Sequence, residues 1–307
     1  MSHDQLSKSL ISTFFQDFLR LTIPDSEPLL HSDATTFVDK ELFIDWPQGR
    51  RRELDLLAQV PMGDGGAPLL VHVEIESEAS ATMNQRLWMY YMQIRLRHDL
   101  LVLPILVNLR GGRPGVGLEI LEEGIEPLAT GTFRYRVLGL SGCEAEDWLT
   151  RPEPVAWAFA ALMRPGKWSP AELKLHFLRR VAAWGVTGFR KEVLVNWIET
   201  YVQLSEEESA LYQRLLEQEE NKEVEEMELT WLGKAEAKGV EKGIEKGVAQ
   251  AVEHMRRAVL QRVEQRFGVL PEDVADRILT VDSIDPLLEL LDRLPLAKSA
   301  DELVSGG

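Results

Sequence analysis

The chain of 307 residues has little cysteine, no long apolar run and no excess of positive charge. Its single cysteine, Cys143, excludes an internal disulfide, and no cluster of cysteine and histidine has the spacing of a zinc site. No apolar run approaches the roughly 20 residues needed to span a bilayer, and the N-terminal segment lacks the apolar stretch of a signal peptide. We therefore expect a cytoplasmic protein without a membrane partner.

The net charge of −16 argues against a nucleic-acid-binding protein, but this charge is distributed unevenly. From residue 201 onward there are 24 acidic and 13 basic residues, whereas residues 1–200 contain 26 acidic and 21 basic residues. The N-terminal part is thus nearly balanced, and a bound metal would neutralise several of its carboxylates. Composition alone therefore does not exclude nucleic acid as a partner.

Two neighbouring segments predict a hairpin that collects carboxylates on one face. Their sequences are Arg-Arg-Glu-Leu-Asp-Leu-Leu at 51–57 and Leu-Leu-Val-His-Val-Glu-Ile-Glu at 69–76. Successive side chains on a strand alternate between its two faces, so His72, Glu74 and Glu76 share one face. Residues 63–68, Gly-Asp-Gly-Gly-Ala-Pro, are typical of a chain reversal. Asp55 is therefore predicted to lie across a hairpin from Glu74.

An aspartate and a glutamate at the end of a hairpin can hold a hard cation such as Mg²⁺, with Mn²⁺ as a substitute, because such ions bind carboxylate oxygens and keep several waters. A metal held by Asp55 and Glu74 can activate a water and neutralise charge on a phosphate. The alternative interpretation is the solvated face of a half-buried sheet, which explains any one acidic residue by itself. Three carboxylates on adjoining strands repel one another unless a cation or a basic group offsets them. The pattern leaves both interpretations open.

The order of the predicted elements indicates an α/β fold with a mixed sheet over residues 1–150. The predicted elements are an opening helix over 4–21, a strand over 36–44, a helix over 80–98, a buried strand over 101–107 and a strand over 133–138. Pro104 within the buried strand suggests a bulge. The Gly-rich segment 110–117 lacks the Gly-Lys-Ser/Thr ending of a phosphate-binding loop, so we interpret it as a flexible connection.

The rest of the chain is predicted to be helical. It divides into a helical extension over 151–205 that packs on the core, a long charged helix over 206–256 and a small helical module over 257–307. Gly239, Gly243 and Gly247 recur every four residues, and each costs roughly 1 kcal/mol inside a helix. Close approach of a second helix would explain them and predicts a coiled-coil homodimer through the long helix. A repeat expansion in a solvated helix explains the same composition.

The order of these features resembles the recombination-promoting nuclease family, a transposase-like group within the PD-(D/E)XK nuclease superfamily. The matching residues are His3-Asp4 with the opening helix, 37–43, 51–57, 71–76, 86–91 and 103–105, together with the Lys-Gly-Ile-Glu-type repeats of the C-terminal part. The tail around Arg266-Phe267-Gly268 resembles a small domain of unknown function that often closes such proteins. The resemblance covers nearly the whole chain.

This resemblance implies a restriction-endonuclease-like fold and Mg²⁺-dependent hydrolysis of phosphodiester bonds in DNA, with Asp55 and Glu74 as the metal-binding carboxylates. The superfamily places a lysine two residues after that glutamate, and this family often has a glutamine there, whereas this chain has Glu76. Glu76 can act as a ligand or a base, and Arg86 on the following helix can supply the missing positive charge. A nuclease-like protein without turnover, acting in assembly or DNA binding, is the alternative. Residues 50–52, all arginine, are expected to meet phosphates or to form a solvated turn.

Overall fold

The computed structural model describes residues 3–25, 30, 32–38, 42–45, 50–126, 128–185 and 188–305. The chain forms two compact units, Met1–Glu228 and Leu229–Gly307. None of the helices in the described part of the chain is both long enough and apolar enough to cross a membrane.

The first unit contains a six-stranded sheet and a separate two-stranded hairpin. The strands are β1 (Thr36–Phe37), β2 (Leu42–Asp45), β3 (Arg50–Glu53), β4 (Leu56–Val60), β5 (Leu69–Glu76), β6 (Val102–Asn108), β7 (Gly115–Ile125) and β8 (Leu128–Gly139). The sheet has the spatial order β1-β4-β5-β6-β8-β7, while β2 and β3 pair with each other. β6 is parallel to both β5 and β8, and the other pairs are antiparallel. The predicted α/β fold with a mixed sheet is thus confirmed.

Helices account for most of the other described residues of the chain. They are α1 (His3–Thr13), α2 (Phe15–Thr22), α3 (Met83–His98), α4 (Ala145–Leu149), α5 (Pro154–Ala160), α6 (Pro170–Ala183), α7 (Phe189–Tyr201), α8 (Glu206–Leu216), α9 (Lys222–Phe267), α10 (Glu272–Leu279), α11 (Ile284–Arg293) and α12 (Ala300–Ser305). Local sequence sets some of their ends: α6 starts with a capping box between Ser169 and Glu172, followed by Pro170 in the first turn.

Two helical layers bury the centre of the sheet. α3 connects the parallel strands β5 and β6 and covers one face, where Leu87 packs against Phe133 and Val137 of β8. On the other side α1 contacts β5, and α2 contacts β7 and β8. Ile105 and Val107 of β6 are fully buried, as predicted for a central strand that is covered on both faces.

The tryptophans of the helical extension pack between helices or on neighbouring rings. Trp157 of α5 and Trp184 meet edge to face at 5.8 Å between ring centroids. Trp197 of α7 is fully buried, and its Nε1–H donates a hydrogen bond to the carbonyl oxygen of Ala158 at 2.6 Å. Trp168 stacks on His176 at 4.4 Å.

The opening segment forms two helices rather than the single helix predicted over residues 4–21. Phe14 departs from helical geometry, with φ −116° and ψ 36°, and separates α1 from α2. The bend allows two adjacent aromatic side chains to be buried in different directions. Phe14 lies against Trp184 at 5.9 Å, and Phe15 contacts Phe37 at 5.3 Å.

Two strand predictions also change. The strand predicted over 36–44 corresponds to β1 and most of β2, and residues 39–41 lie outside the described part of the chain. The bulge predicted at Pro104 is wrong, because Pro104 pairs with His72 in an unbroken β5–β6 register. β8 pairs with β6 only from Ile105 onward, so the N–H that proline lacks is not needed on that side.

The Gly-rich segment 110–117 is only partly the flexible connection predicted for it, because β7 begins at Gly115. β7 and β8 form an antiparallel hairpin whose pairing is continuous until a register shift after Glu123. A close contact accounts for the glycine at the end of β8. A Cβ on Gly139 would lie 2.0 Å from the carbonyl oxygen of Arg113.

The charged stretch after α7 forms α8 and α9 rather than the single long helix predicted over 206–256. Asn221, which is fully buried, explains the interruption. Its Nδ2 donates to the carbonyl oxygen of Leu215 at 2.6 Å, and its Oδ1 accepts from Arg179 Nε at 2.6 Å. The side chain therefore satisfies the end of α8 and ties this turn to α6.

The second unit is a small helical assembly with its own core. The buried residues of that core include Val252, Val259, Val263, Val274, Ile278, Leu287 and Leu303. α9 continues past the predicted boundary at residue 256 and ends at Phe267. Gly268 after it has a φ of +83°, the left-handed conformation that glycine adopts readily. The short helices α10, α11 and α12 follow, so the predicted helical module is helical throughout most of its length.

Candidate functional site

Asp55 lies at a bend between β3 and β4, opposite Glu74 on β5. The register pairs Leu56 with Val73, and Asp55 continues this pairing by one residue. Asp55 Oδ2 accepts a hydrogen bond from the Ile75 N–H at 2.7 Å, and the Asp55 N–H donates to Glu74 Oε1 at 3.3 Å. The two carboxylate residues that the sequence predicts to face each other are therefore in contact.

Glu74 and His72 are buried beneath α3. The alternation of β5 directs both side chains toward this helix, where the His72 ring meets the Tyr90 ring edge to face at 6.0 Å. His72 is 0% exposed and Glu74 is 5% exposed, and 3.0 Å separates His72 Nε2 from Glu74 Oε1. A solvated sheet face does not account for a carboxylate at this depth, because burial is unfavourable for a charge that lacks partners.

Lys8 of α1 belongs to the site, although no sequence pattern pointed to it. Its Nζ lies 2.9 Å from Asp55 Oδ1, and its side chain is 25% exposed. The packing of α1 on β5 brings it there from a distant part of the chain. Ile11, which lies three residues after Lys8 and next to it on the helix surface, is fully buried. Lys8 thus lies at the border of the face of α1 that packs against β5.

Glu76 ends β5 and forms an ion pair with Arg86 in the first turn of α3. Arg86 Nη2 donates a hydrogen bond to Glu76 Oε1, and both side chains are largely buried. Arg86 therefore reaches the site from the helix after β5, and its guanidinium neutralises Glu76. Asn108 of β6 is the neighbour of Glu76 in the sheet and is also buried.

The pKa of Asp55 is raised to about 6. Burial is the largest cause, because it disfavours the charged form, and the Glu74 carboxylate adds electrostatic repulsion. The Lys8 side chain and the N–H of Ile75 act in the opposite direction. An added cation would favour the charged form of Asp55. Strongly shifted groups of this kind are frequent at functional sites.

The donor atoms at Asp55 and Glu74 suit Mg²⁺. This ion takes oxygen ligands, and one or two carboxylates together with waters and substrate phosphate commonly complete its shell. The described residues contain no group of three or more His, Cys, Asp or Glu side chains that could hold a metal. A cation here would consequently depend on two carboxylates. It would share Asp55 with Lys8, and it would offset the repulsion by Glu74 that contributes to the raised pKa of Asp55.

Three buried polar atoms at this site have no hydrogen-bond partner within the described part of the protein. They are His72 Nδ1, Arg86 Nε and Asn108 Oδ1. Most buried polar atoms in proteins are paired. All three lie on residues that surround Glu74 and Glu76, so this part of the site is not fully paired within the described residues.

Two features predicted from the sequence lie outside what the structure describes. Residues 50–52 include the start of β3, but the side chains of Arg51 and Arg52 are not described, nor is that of Arg50. The side chains of residues 234–248, which include the glycine repeat, are likewise outside the described part. The expected phosphate contacts and the helix groove stay predictions.

Comparison with known proteins adds no assignment to this geometry. No family model matches the chain, and no curated protein or solved structure matches it.

Proposed function

We propose that this protein is a Mg²⁺-dependent endonuclease of recombination or mobile-element type that hydrolyses phosphodiester bonds in DNA, with Mn²⁺ as a possible substitute for Mg²⁺. The observation that supports it is the raised pKa of Asp55, which results from burial and from repulsion by the Glu74 carboxylate on the neighbouring strand. Repulsion between two carboxylates is unfavourable unless a cation or a basic group offsets it, and Lys8 offsets it only in part. The resemblance to the recombination-promoting nuclease family supports the reaction class, because the same two positions match its metal-binding carboxylates.

Asp55 and Glu74 would hold the ion, which when bound would lower the pKa of a water and neutralise charge on the phosphate. His72 keeps the Glu74 carboxylate in place, since the imidazole is fully buried and contacts it at 3.0 Å. This arrangement resembles the outer-shell support that metal-binding carboxylates usually have. Removing His72 should weaken metal binding without removing a ligand.

Lys8 supplies the positive charge that the superfamily places two residues after the glutamate. Its ammonium group contacts Asp55 and its side chain is a quarter exposed, so Lys8 would also be able to donate to a phosphate oxygen or to the attacking water. Arg86 is engaged with Glu76 and serves to neutralise that carboxylate. In this proposal Lys8, from another element of the fold, takes the role for which Glu76 is unsuited.

The alternative is a nuclease-like protein without turnover that acts in assembly or DNA binding. One observation favours it, namely that every carboxylate of the site has a basic partner within the protein. The pairs are Lys8 with Asp55, His72 with Glu74, and Arg86 with Glu76. A network paired in this way is compatible with a purely structural role. A homodimer through residues 206–267 also stays a proposal, supported by the spacing of the glycines.

Metal binding separates the two functions. Titration calorimetry with Mg²⁺ and Mn²⁺ should show binding to the unmodified protein and loss of binding in Asp55→Asn. Asp64→Asn is a matched control, because Asp64 is exposed in the turn of the same hairpin and bonds only locally, to the N–H of Gly66. The proposal requires that this control binds metal normally. No binding by the unmodified protein would favour the structural alternative.

Cleavage of supercoiled plasmid DNA is the direct test of activity. The unmodified protein and Asp64→Asn should nick or linearise the plasmid with Mg²⁺ or Mn²⁺, and not with EDTA. Asp55→Asn and Glu74→Gln should be inactive, and Lys8→Met should lower the rate. Intact plasmid under all these conditions, with a protein that still binds DNA, would contradict the nuclease and support the alternative.

A further inference from the structure

β7 is the outermost strand of the sheet on the side away from the carboxylate site. Within the described residues it pairs only with β8. Its alternate residues Val116, Leu118 and Ile120 point away from the face that α3 covers, and they are 38%, 45% and 49% exposed. An apolar row therefore lies along a strand edge that has free backbone hydrogen-bonding groups.

Exposed strand edges usually carry features that prevent pairing with another chain, such as prolines, bulges, charges or a covering element. Here a proline and a register shift stand only at the two ends of the strand. Pro114 precedes β7, and the register shift follows Glu123. Between them Glu119 and Glu122 are the only charged side chains, and neither interrupts the apolar row from Val116 to Ile120. The middle of the edge is open to strand addition.

We propose that a second copy of this chain pairs with it edge to edge, β7 antiparallel to β7, around a twofold axis at Leu118. A twofold interface must be complementary to itself. With the axis at this residue, Val116 of each copy lies opposite Ile120 of the other, and the two Leu118 side chains meet. The two apolar rows then form one continuous patch across the shared sheet.

Charge selects this register. With the axis at Leu118, Glu119 lies opposite Gly117, and no carboxylate faces another. Moving the axis to Ile120 would place Glu122 opposite Leu118, and moving it to Leu121 would set Glu119 against Glu123. Like charges directly opposite each other are unfavourable in a sheet. The other registers therefore lose either apolar contact or electrostatic compatibility.

The charged residues around this interface are also compatible with the pairing of two β7 strands. In the same register Glu123 of one copy lies opposite Arg113 of the other. Arg113 is exposed and comes just before β7. Arg136 lies beside Leu118 within each copy, on the same face of the sheet. Three strand spacings would separate the two Arg136 residues, about 14 Å, beyond the Debye length of roughly 8 Å at physiological salt.

This inference is independent of the proposed nuclease function. β6 and β8 lie between β7 and the strand that carries Glu74. Substitutions on the outer row of β7 should therefore leave metal binding unchanged. The interface also differs from a dimer through α9, since the two use separate parts of the chain.

Sedimentation of the full-length protein from low micromolar concentration to about 100 µM tests the assembly. We expect a dimer whose dissociation constant rises at least about tenfold in Leu118→Lys, because two ammonium groups would meet at the axis. Leu96→Lys is the matched control, since Leu96 is an 80% exposed apolar residue on α3. A protein that stays monomeric, or a dimer that Leu118→Lys does not weaken, would overturn the proposal; the latter would assign the dimer to another surface.

Cysteine crosslinking tests the register and does not depend on the lysine variant being folded. In a Cys143→Ser background, Leu118→Cys should form a disulfide-linked dimer under mild oxidation, because directly opposed residues have Cα atoms about 4.5–5.5 Å apart. Val116→Cys should not, because each Val116 would be about 14 Å from its counterpart along the strands. Equal crosslinking of both variants, or of neither, would refute pairing around Leu118.

Discussion

The shifted pKa of Asp55 predicts a distinctive pH dependence for the stability of the metal-free protein. A carboxyl group whose pKa is raised in the folded state binds its proton more tightly there than in the unfolded chain. Between about pH 4 and pH 6 the folded state then binds more protons, so the free energy of unfolding falls as the pH rises. With the pKa near 6 instead of the ordinary 3.8, the loss reaches roughly 3 kcal/mol, at about 1.4 kcal/mol per pH unit.

Urea unfolding in EDTA at several pH values between 4 and 7 measures this effect. Seven of the eight tryptophans precede Leu229, so tryptophan fluorescence reports mainly on the first unit. Asp55→Asn removes the titrating group, and its stability relative to the unmodified protein should rise with pH by up to roughly 3 kcal/mol. The free energy of unfolding of Asp64→Asn should depend on pH in the same way as that of the unmodified protein.

Mg²⁺ provides the second half of this prediction. Because a cation favours the charged form of Asp55, millimolar Mg²⁺ should stabilise the unmodified protein more at pH 7 than at pH 5. Asp55→Asn should show little of this difference. If the unmodified protein and Asp55→Asn have parallel pH profiles, the carboxyl group does not titrate in this range and the electrostatic reasoning fails.

Three further predictions concern packing and charge. Trp197→Phe should destabilise the first unit by about 2–3 kcal/mol in urea unfolding, because it removes buried volume and the hydrogen bond to Ala158. Gly139→Ala should cost about 1–3 kcal/mol in the same assay, since its Cβ would collide with the Arg113 carbonyl; an unchanged midpoint would show that the loop yields. For an active nuclease, Arg86→Ala should lower turnover more than DNA affinity, because it would leave the Glu76 carboxylate without its basic partner where phosphate charge grows in the transition state, and unchanged turnover would assign Arg86 to structure.

The local part of the site was predictable because it depends on short-range rules. Strand alternation put Glu74 and Glu76 on one face, and the Gly-rich turn set Asp55 opposite Glu74. The contact of Arg86 with Glu76 was predictable because α3 comes soon after β5 in the chain and carries Arg86 in its first turn. These relations need only the periodicity of one hairpin and one crossover, so they can be inferred from the sequence.

Lys8 and β7 show where such rules stop. Lys8 reaches Asp55 only because α1 docks on β5, and no periodicity within either segment specifies that docking. β7 carries an alternating pattern at Val116, Leu118 and Ile120, but glycines at 115 and 117 concealed it, since glycine is unfavourable in strands. Pairing with β8 overrides that local preference. A contact between distant segments decided the first case, and pairing within a hairpin decided the second.

The packing of the opening helices on the helical layer has a consequence for synthesis of the chain. Phe14 lies under the guanidinium of Arg190 at 4.8 Å and beside Trp184, and α1 contacts α7. About 170 residues separate Phe14 from Trp184 and Arg190. The ribosome adds roughly 5–20 residues per second, so these partners of Phe14 are synthesised on the order of 10–35 s after it. For that interval the apolar face of α1 lacks its final cover and is exposed to chaperones. A nascent chain of 150 residues already contains all five charged residues of the site, Lys8, Asp55, Glu74, Glu76 and Arg86, yet it lacks α7, which packs on the helix that carries Lys8.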